Sequence, residues 1–224
     1  LARYLGANGP SRQMKLTSAD VDAREAEQAM DALGISDSKS QISNLVILVP
    51  GANFGASKCW LPERFAAVAE RLADPAGPFA AQVVLAGSPA EMTICDAIAA
   101  TVTRHRERIH ILSHANAGKG VSIGALKEIV RRSRLMICND TGPRHIAAAF
   151  GIPTVTLFGP TDPVWAETFS QKERIVRVPV PCGPCQLKVC PIDHRCMKGI
   201  TVDMVMQAVN ELWNAQQSAR YDSP

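Results

Sequence analysis

The residues best suited to chemistry sit in one short run, Asn139-Asp140-Thr141-Gly142-Pro143-Arg144-His145. Pro143 suits the first position of a helix, where a missing N–H costs nothing. The backbone N–H groups of Thr141, Gly142, Arg144 and His145 then lie at a helix start without intrahelical partners. Together with the helix dipole they make a site for a phosphate-like anion. Gly142 allows a ligand close to the backbone, and Arg144 and His145 can add positive charge or donors. A second reading stands beside this one: Asp140 or Thr141 caps the helix, and His145 is an ordinary surface histidine. The run alone does not choose between them.

A second group of reactive side chains precedes the last helix: Cys182, Cys185, Cys190, His194 and Cys196. Such a cluster in a reducing compartment points to zinc rather than to disulfides. Its spacing matches no common zinc finger, so metal binding and a metal-free role stand as equal readings, and a bound metal would be structural. Cys59, Cys95 and Cys138 are isolated and read as small apolar fillers.

These residues need elements to position them. Short apolar runs with β-branched residues predict strands at 45–49, 83–86, 109–112, 135–138, 154–158 and 175–178. Between them, helical periodicity predicts helices from Pro62, over about 90–102, after an N-cap at Ser122, and from Pro143 through Phe150. Gly151 and Pro153 end the last of these. A further helix is predicted over 17–33, after a weakly patterned 1–16. A polar linker follows at 36–43, and Thr201 caps a final helix. Six short strands separated mostly by helices predict a doubly wound α/β domain with a mostly parallel sheet over 44–200. Residues 1–43 form a leader, helix and linker, and 201–224 a C-terminal helix and tail. Ligands bind such sheets at the carboxyl ends of the strands. That rule puts the loops 50–58, 87–91, 139–145 and 159–163 in one crevice. Thr161 and Asp162 line it, although a plain turn explains them nearly as well.

Composition sets outer bounds. The 224 residues are 46% hydrophobic and 20% charged, as in an ordinary globular domain. A net charge of +3 is too small to indicate nucleic acid. No apolar run approaches the roughly 20 residues that span a bilayer, and no signal peptide is recognisable. The absence of a starting methionine suggests a fragment. No G-x-G-x-x-G follows a strand, and Gly118-Lys119-Gly120 is not a P-loop. The basic clusters at 104–108 and 131–134 read as solvated helix ends.

The run from Asn139 to His145, the helix Ile146-Ala-Ala-Ala-Phe-Gly151 and the run Leu157-Phe-Gly-Pro-Thr-Asp-Pro163 together resemble glycosyltransferase family 9, the heptosyltransferases of lipopolysaccharide core assembly. Pro50-Gly-Ala-Asn53, with Lys58 and Trp60-Leu-Pro62, resembles that family's other loop, with Cys59 where a basic residue is usual. The resemblance runs from about Thr17 to the last helix. It implies one Rossmann-like half of a two-domain GT-B enzyme, the carboxyl-terminal, sugar-nucleotide half.

By that resemblance, Thr141, Gly142 and His145 belong to a pyrophosphate-binding turn, and Asp140 approaches the sugar. Lys58 reaches the phosphates or the sugar, and Glu91 binds the ribose hydroxyls. Gly51 and Ala52 let the backbone close on the ligand. Arg144, where the family often has an uncharged residue, either adds a phosphate contact or faces water. The implied reaction is inverting transfer of heptose from ADP-heptose to a lipid A–Kdo type acceptor, with no cofactor and no metal. The catalytic base is expected in an amino-terminal half of the same enzyme. The implied setting is cytoplasmic, with peripheral contact at the inner face of the inner membrane and no nucleic-acid partner. A stand-alone sugar-nucleotide-binding module, or a relative using a different sugar nucleotide, is the alternative.

Overall fold

The computed structural model describes residues 14–35, 44–115 and 119–221, together with Tyr4 and Gly6, with side chains to residue 218. The linker at 36–43 and Gly118 lie outside the described residues, as does most of 1–13. In chain order the elements are α1 (Asp20–Ala32), β1 (Leu45–Val49), α2 (Pro62–Ala73), β2 (Gln82–Leu85), α3 (Met92–Thr101) and β3 (Ile109–Ile111). They continue with α4 (Ile123–Arg132), β4 (Leu135–Asn139), α5 (Pro143–Ala149), β5 (Thr154–Phe158), β6 (Glu173–Arg177), α6 (Arg195–Gly199) and α7 (Val202–Tyr221).

Among the described residues the strands form one six-stranded sheet in the order β3-β2-β1-β4-β5-β6, with every pairing parallel. Parallel strands need crossover helices, which cover both faces and bury the strands completely. β1, β4 and β5 are accordingly buried along their whole length. Alternate residues serve opposite cores. Val46, Leu48, Leu135 and Ile137 pack with α2, α3 and α7, whereas Leu45, Ile47, Met136 and Cys138 pack with α1, α4 and α5. Thus α1 and α7, at the two ends of the chain, each seal one face. Trp213 of α7 packs edge-on against Phe79, centroids 5.1 Å apart.

The chain builds β1, β2 and β3 outward in one direction, then returns to place β4, β5 and β6 on the other side of β1. The switch therefore falls between β1 and β4, where the loops leaving adjacent carboxyl ends diverge and open a crevice.

Local chemistry sets the element ends. Ser122 Oγ accepts from Ala125 N at 3.0 Å, and Thr201 Oγ1 from Met204 N at 3.2 Å, capping α4 and α7 as the sequence predicts. α1 starts at Asp20 rather than residue 17, because Asp22 reaches back to the N–H of Ala19 at 3.1 Å. α3 is preceded by a 3-10 turn, Pro89–Glu91. β6 begins at Glu173, ahead of the expected 175, and pairs Glu173 with Thr154. The charged side chains of Glu173 and Arg174 hid its start in the sequence.

Candidate functional site

At the switch point one buried amide ties the loops together. Asn139, the last residue of β4, is fully buried. Its Nδ2 donates to the Pro50 carbonyl at 2.6 Å, and its Oδ1 accepts from Trp60 N at 3.2 Å. Both ends of the loop 50–60 are thereby tied to the strand that carries the 139–145 turn. Trp60 is pinned in turn, its Nε1 donating to the Ile200 carbonyl at 3.0 Å and its ring packing edge-on against Phe65. A polar residue closing an apolar strand was the available signal for Asn139.

Within this frame Lys58 and Asp140 meet. Lys58 closes a 3-10 turn, Ala56–Lys58, and its Nζ lies 2.5 Å from Asp140 Oδ2. The same oxygen accepts from Thr161 Oγ1 at 2.8 Å. The side chains of Lys58 and Asp140 are only 12% and 8% exposed, and the Lys58 ammonium lies 4.7 Å from the centroid of the Phe54 ring. Three loops, from the ends of β1, β4 and β5, thus converge on one carboxylate. Thr161 joins the cluster. Asp162 does not: its Oδ1 accepts from Val164 N at 3.1 Å, the plain turn role.

The 139–145 turn differs from expectation in three respects. Asp140 does not cap α5, since its carboxylate serves Lys58 and Thr161, and no side chain caps that helix. The N–H groups of Arg144 and His145 are already used, donating to Thr141 O at 3.2 Å and Gly142 O at 3.0 Å. Among the described residues, the N–H groups of Thr141 and Gly142 donate to nothing and are the turn's open donors. α5 has seven residues, so its dipole adds little to them. Gly142 is exposed, and a Cβ there would meet nothing within 4 Å, so its outer side is open.

Arg144 neither reaches into the crevice nor faces water. It is 1% exposed, with Nε 2.5 Å from Glu173 Oε1, Nη2 3.2 Å from Oε2, and Nη1 donating to the Ala166 carbonyl at 2.6 Å. Thr156 and Thr168 also donate to Glu173. Burial pushes Glu173 up, but the bonds from Arg144, Thr156 and Thr168 hold its pKa below the ordinary carboxylate value. Arg144 Nη1 passes 3.8 Å from Asp140 Oδ1, on the side away from Lys58. His145 is half-buried. Burial first, and then the charge of Arg144, depress its pKa, which favours the neutral imidazole at pH 7.

Glu91 sits on the other flank. Its Oε2 accepts from Ser88 N at 2.9 Å and Ser88 Oγ at 2.8 Å, the helix-start role. The same carboxylate lies so close to Gly51 that a Cβ there would fall 2.1 Å from Glu91 Oε1. Burial and then the charge of Glu91 raise the pKa of the Cys59 thiol. Glu91 therefore lines the β1 side of the crevice but makes no ion pair with Lys58. Lys58, Asp140, Thr141, Gly142 and His145 come together, and Glu91 stands beside them.

The cysteine-rich segment is not gathered as a ligand set: among the described residues no three His, Cys, Asp or Glu side chains are placed to hold a metal ion. The His194 N–H donates to Cys190 Sγ at 3.3 Å, its ring Nε2 bonds the Ser57 carbonyl at 2.7 Å, and Cys196 is buried. Cys95 and Cys138 are buried fillers as expected, with burial raising both thiols to about 12. No helix among the described residues is long and apolar enough to cross a membrane.

A doubly wound parallel sheet of this kind brings a lysine, open backbone donors and a carboxylate together at its switch point. The family is narrower. Residues 1–195 match the model for glycosyltransferase family 9 (heptosyltransferase). A lipooligosaccharide heptosyltransferase 2 of Campylobacter jejuni is 30% identical over 171 residues, 75% of this chain and 51% of that protein. Among solved structures, the ADP-heptose heptosyltransferase II of Escherichia coli superposes with a TM-score of 0.70 at 24% identity, over 91% of this chain and 54% of that one. A family 9 glycosyltransferase of Veillonella parvula gives 0.69 at 20% identity, over 94% and 57%. The chain belongs to glycosyltransferase family 9. It spans about half the length of the curated relatives it matches.

Proposed function

We propose that this chain is the sugar-nucleotide half of a heptosyltransferase, binding ADP-heptose for inverting transfer to the inner core of lipopolysaccharide. The observation that carries the reading is the family match over 1–195, with the Lys58–Asp140–Thr161 cluster at the sheet's switch point. The Thr141 and Gly142 N–H groups and Lys58 receive the pyrophosphate, with His145 beside them. Asp140 faces the sugar, and Glu91 the ribose hydroxyls. The role for a cation is physical: the departing diphosphate accumulates negative charge as the sugar–oxygen bond breaks, and preorganised donors stabilise it. Arg144 is committed to Glu173, so Lys58 is the cation in this cluster that can turn to a ligand.

The 44–200 unit is the donor-binding domain, with the helices of 1–43 and 201–224 packed on its two faces. The base that deprotonates the acceptor hydroxyl belongs to an amino-terminal half of the same enzyme. The acceptor is of the lipid A–Kdo type, presented where the enzyme meets the inner face of the inner membrane. The reading takes its donor from a protein of similar fold that is named as an ADP-heptose heptosyltransferase.

Titration calorimetry with ADP, GDP and UDP tests the reading. ADP binds, the other two bind more weakly, and incubation with ADP-heptose and acceptor yields no transfer by this chain alone. Equal binding of the three nucleotides would remove the adenine assignment, and no binding of any would remove the site.

A further inference from the structure

We propose that the segment 182–194 is a strap that sets the position of Lys58, with Ser57 and His194 as positioning residues. The inference rests on the donor-site reading of Lys58 given above.

Ser57 precedes Lys58 in the 3-10 turn and is 3% exposed. All three of its polar groups bond to this one segment, 130 or more residues later in the chain. Its N–H donates to the Lys188 carbonyl at 3.1 Å, its Oγ to the Leu187 carbonyl at 2.5 Å, and its own carbonyl accepts from His194 Nε2 at 2.7 Å. Because the acceptor is a carbonyl, the His194 ring must carry its hydrogen on Nε2. A residue with every polar group fixed from outside its own loop has little freedom to turn, and neither does the residue bonded to it.

The glycines of the site loops show how close the strap lies. Gly55 has φ +155, and a Cβ on it would fall 2.4 Å from the Lys188 carbonyl oxygen. Gly159, in the loop after β5, has no room either: a Cβ would lie 2.3 Å from Met197 Sδ and 3.3 Å from Cys196 Sγ. Gln186 N also donates to the Pro160 carbonyl at 2.9 Å, next to Thr161. The strap and the short helix after it therefore press on both loops that meet Asp140, one carrying Lys58 and the other Thr161. The strap's outer side is exposed at Leu187 and Val189, while its inner side carries the bonds to Ser57.

The strap thus acts on the ligand through Lys58 and not by contact. A double-mutant cycle distinguishes this from a general structural role, because two residues working through one interaction do not add. ADP titrations of the 224-residue chain compare Lys58→Ala, His194→Ala, His194→Gln and the double variant Lys58→Ala/His194→Ala. Lys58→Ala is expected to weaken ADP at least tenfold and His194→Ala about fivefold. His194→Gln, whose amide N–H can reach the Ser57 carbonyl, recovers most of that loss. The double variant binds no more weakly than Lys58→Ala alone. Ser57→Ala, which removes only the bond to Leu187, gives a smaller loss that also vanishes in the Lys58→Ala background, and it serves if His194→Ala fails to fold. Losses that add in the double variants, or unchanged affinity in both His194→Ala and Ser57→Ala, overturn the strap while leaving the donor site standing. Unchanged affinity in Lys58→Ala overturns the donor reading and the strap with it.

Discussion

Asp140 has a cation on each side, and the two are placed for opposite purposes. On the crevice side Lys58 meets Oδ2, retains 12% exposure, and shares that oxygen with a hydroxyl. On the core side Arg144 passes Oδ1 at 3.8 Å, is 1% exposed, and spends its guanidinium on Glu173 and the Ala166 carbonyl. Arg144 lies four positions after Asp140, within the very turn that the sequence marks as an anion site. Its charge nevertheless belongs to the scaffold. Charge near a site is thus no guide to charge available at it: what decides is whether another buried partner has already claimed the donor.

Breaking the core side should give the largest effect on stability. Arg144→Met leaves Glu173 buried without its cation, and removal of one partner from a buried pair costs about 3–5 kcal/mol. Urea denaturation would show this as a lower midpoint at an unchanged slope. A loss below about 1 kcal/mol would mean that the pair is not the anchor the geometry indicates. Breaking the crevice side should affect binding instead. Lys58→Ala loses a charge-assisted bond to phosphate, about 1.5–3 kcal/mol or roughly 10- to 100-fold in ADP affinity. The urea midpoint should change little, because Asp140 keeps the Thr161 hydroxyl and has Arg144 Nη1 at 3.8 Å. A variant that melts early but binds normally would reverse the comparison.

Asn139→Ala tests the frame that holds the two sides in register. It removes one buried donor and one acceptor, leaving Pro50 O and Trp60 N unpaired, at about 1–3 kcal/mol. Both stability and ADP affinity should fall, unlike either single-sided variant.

The smallest effects are pH-dependent. Glu173 has its folded pKa below the ordinary 4.5. Its contribution is therefore complete above that value and is lost as pH falls through the folded pKa. Glu173→Gln should flatten this acid limb, in addition to the larger loss from breaking the Arg144 pair. His145 is depressed below 6.5, chiefly by burial. The unfolded chain takes up that proton first, so stability weakens as pH drops below about 6.5, and His145→Gln should remove that component.

The scaffold was legible because parallel strands buried on both faces are written as apolar runs, and Leu45–Val49 and Thr154–Phe158 stand at their expected bounds. β6 was placed late because an edge strand carries charge, and Glu173 at its start is also the anchor for Arg144. The turn at Asp140 was legible as a candidate site because its residues are contiguous. The fate of Arg144 was not, because its partners, Ala166 and Glu173, come from β6 and the loop before it, and only the fold brings them under α5. The contacts of the cysteine-rich segment were hidden for a related reason. They run to Ser57 through backbone carbonyls at 187 and 188 and one imidazole. Backbone groups leave no mark in residue identity.

The most direct test of the central claim is a crystal structure of the chain with ADP bound. The account predicts the diphosphate at the carboxyl ends of β1 and β4, within hydrogen-bonding distance of the Thr141 and Gly142 N–H groups. Lys58 Nζ should have turned from Asp140 to a phosphate oxygen, while Arg144 stays on Glu173. A diphosphate bound elsewhere, with the Lys58–Asp140 pair still at 2.5 Å, would contradict it.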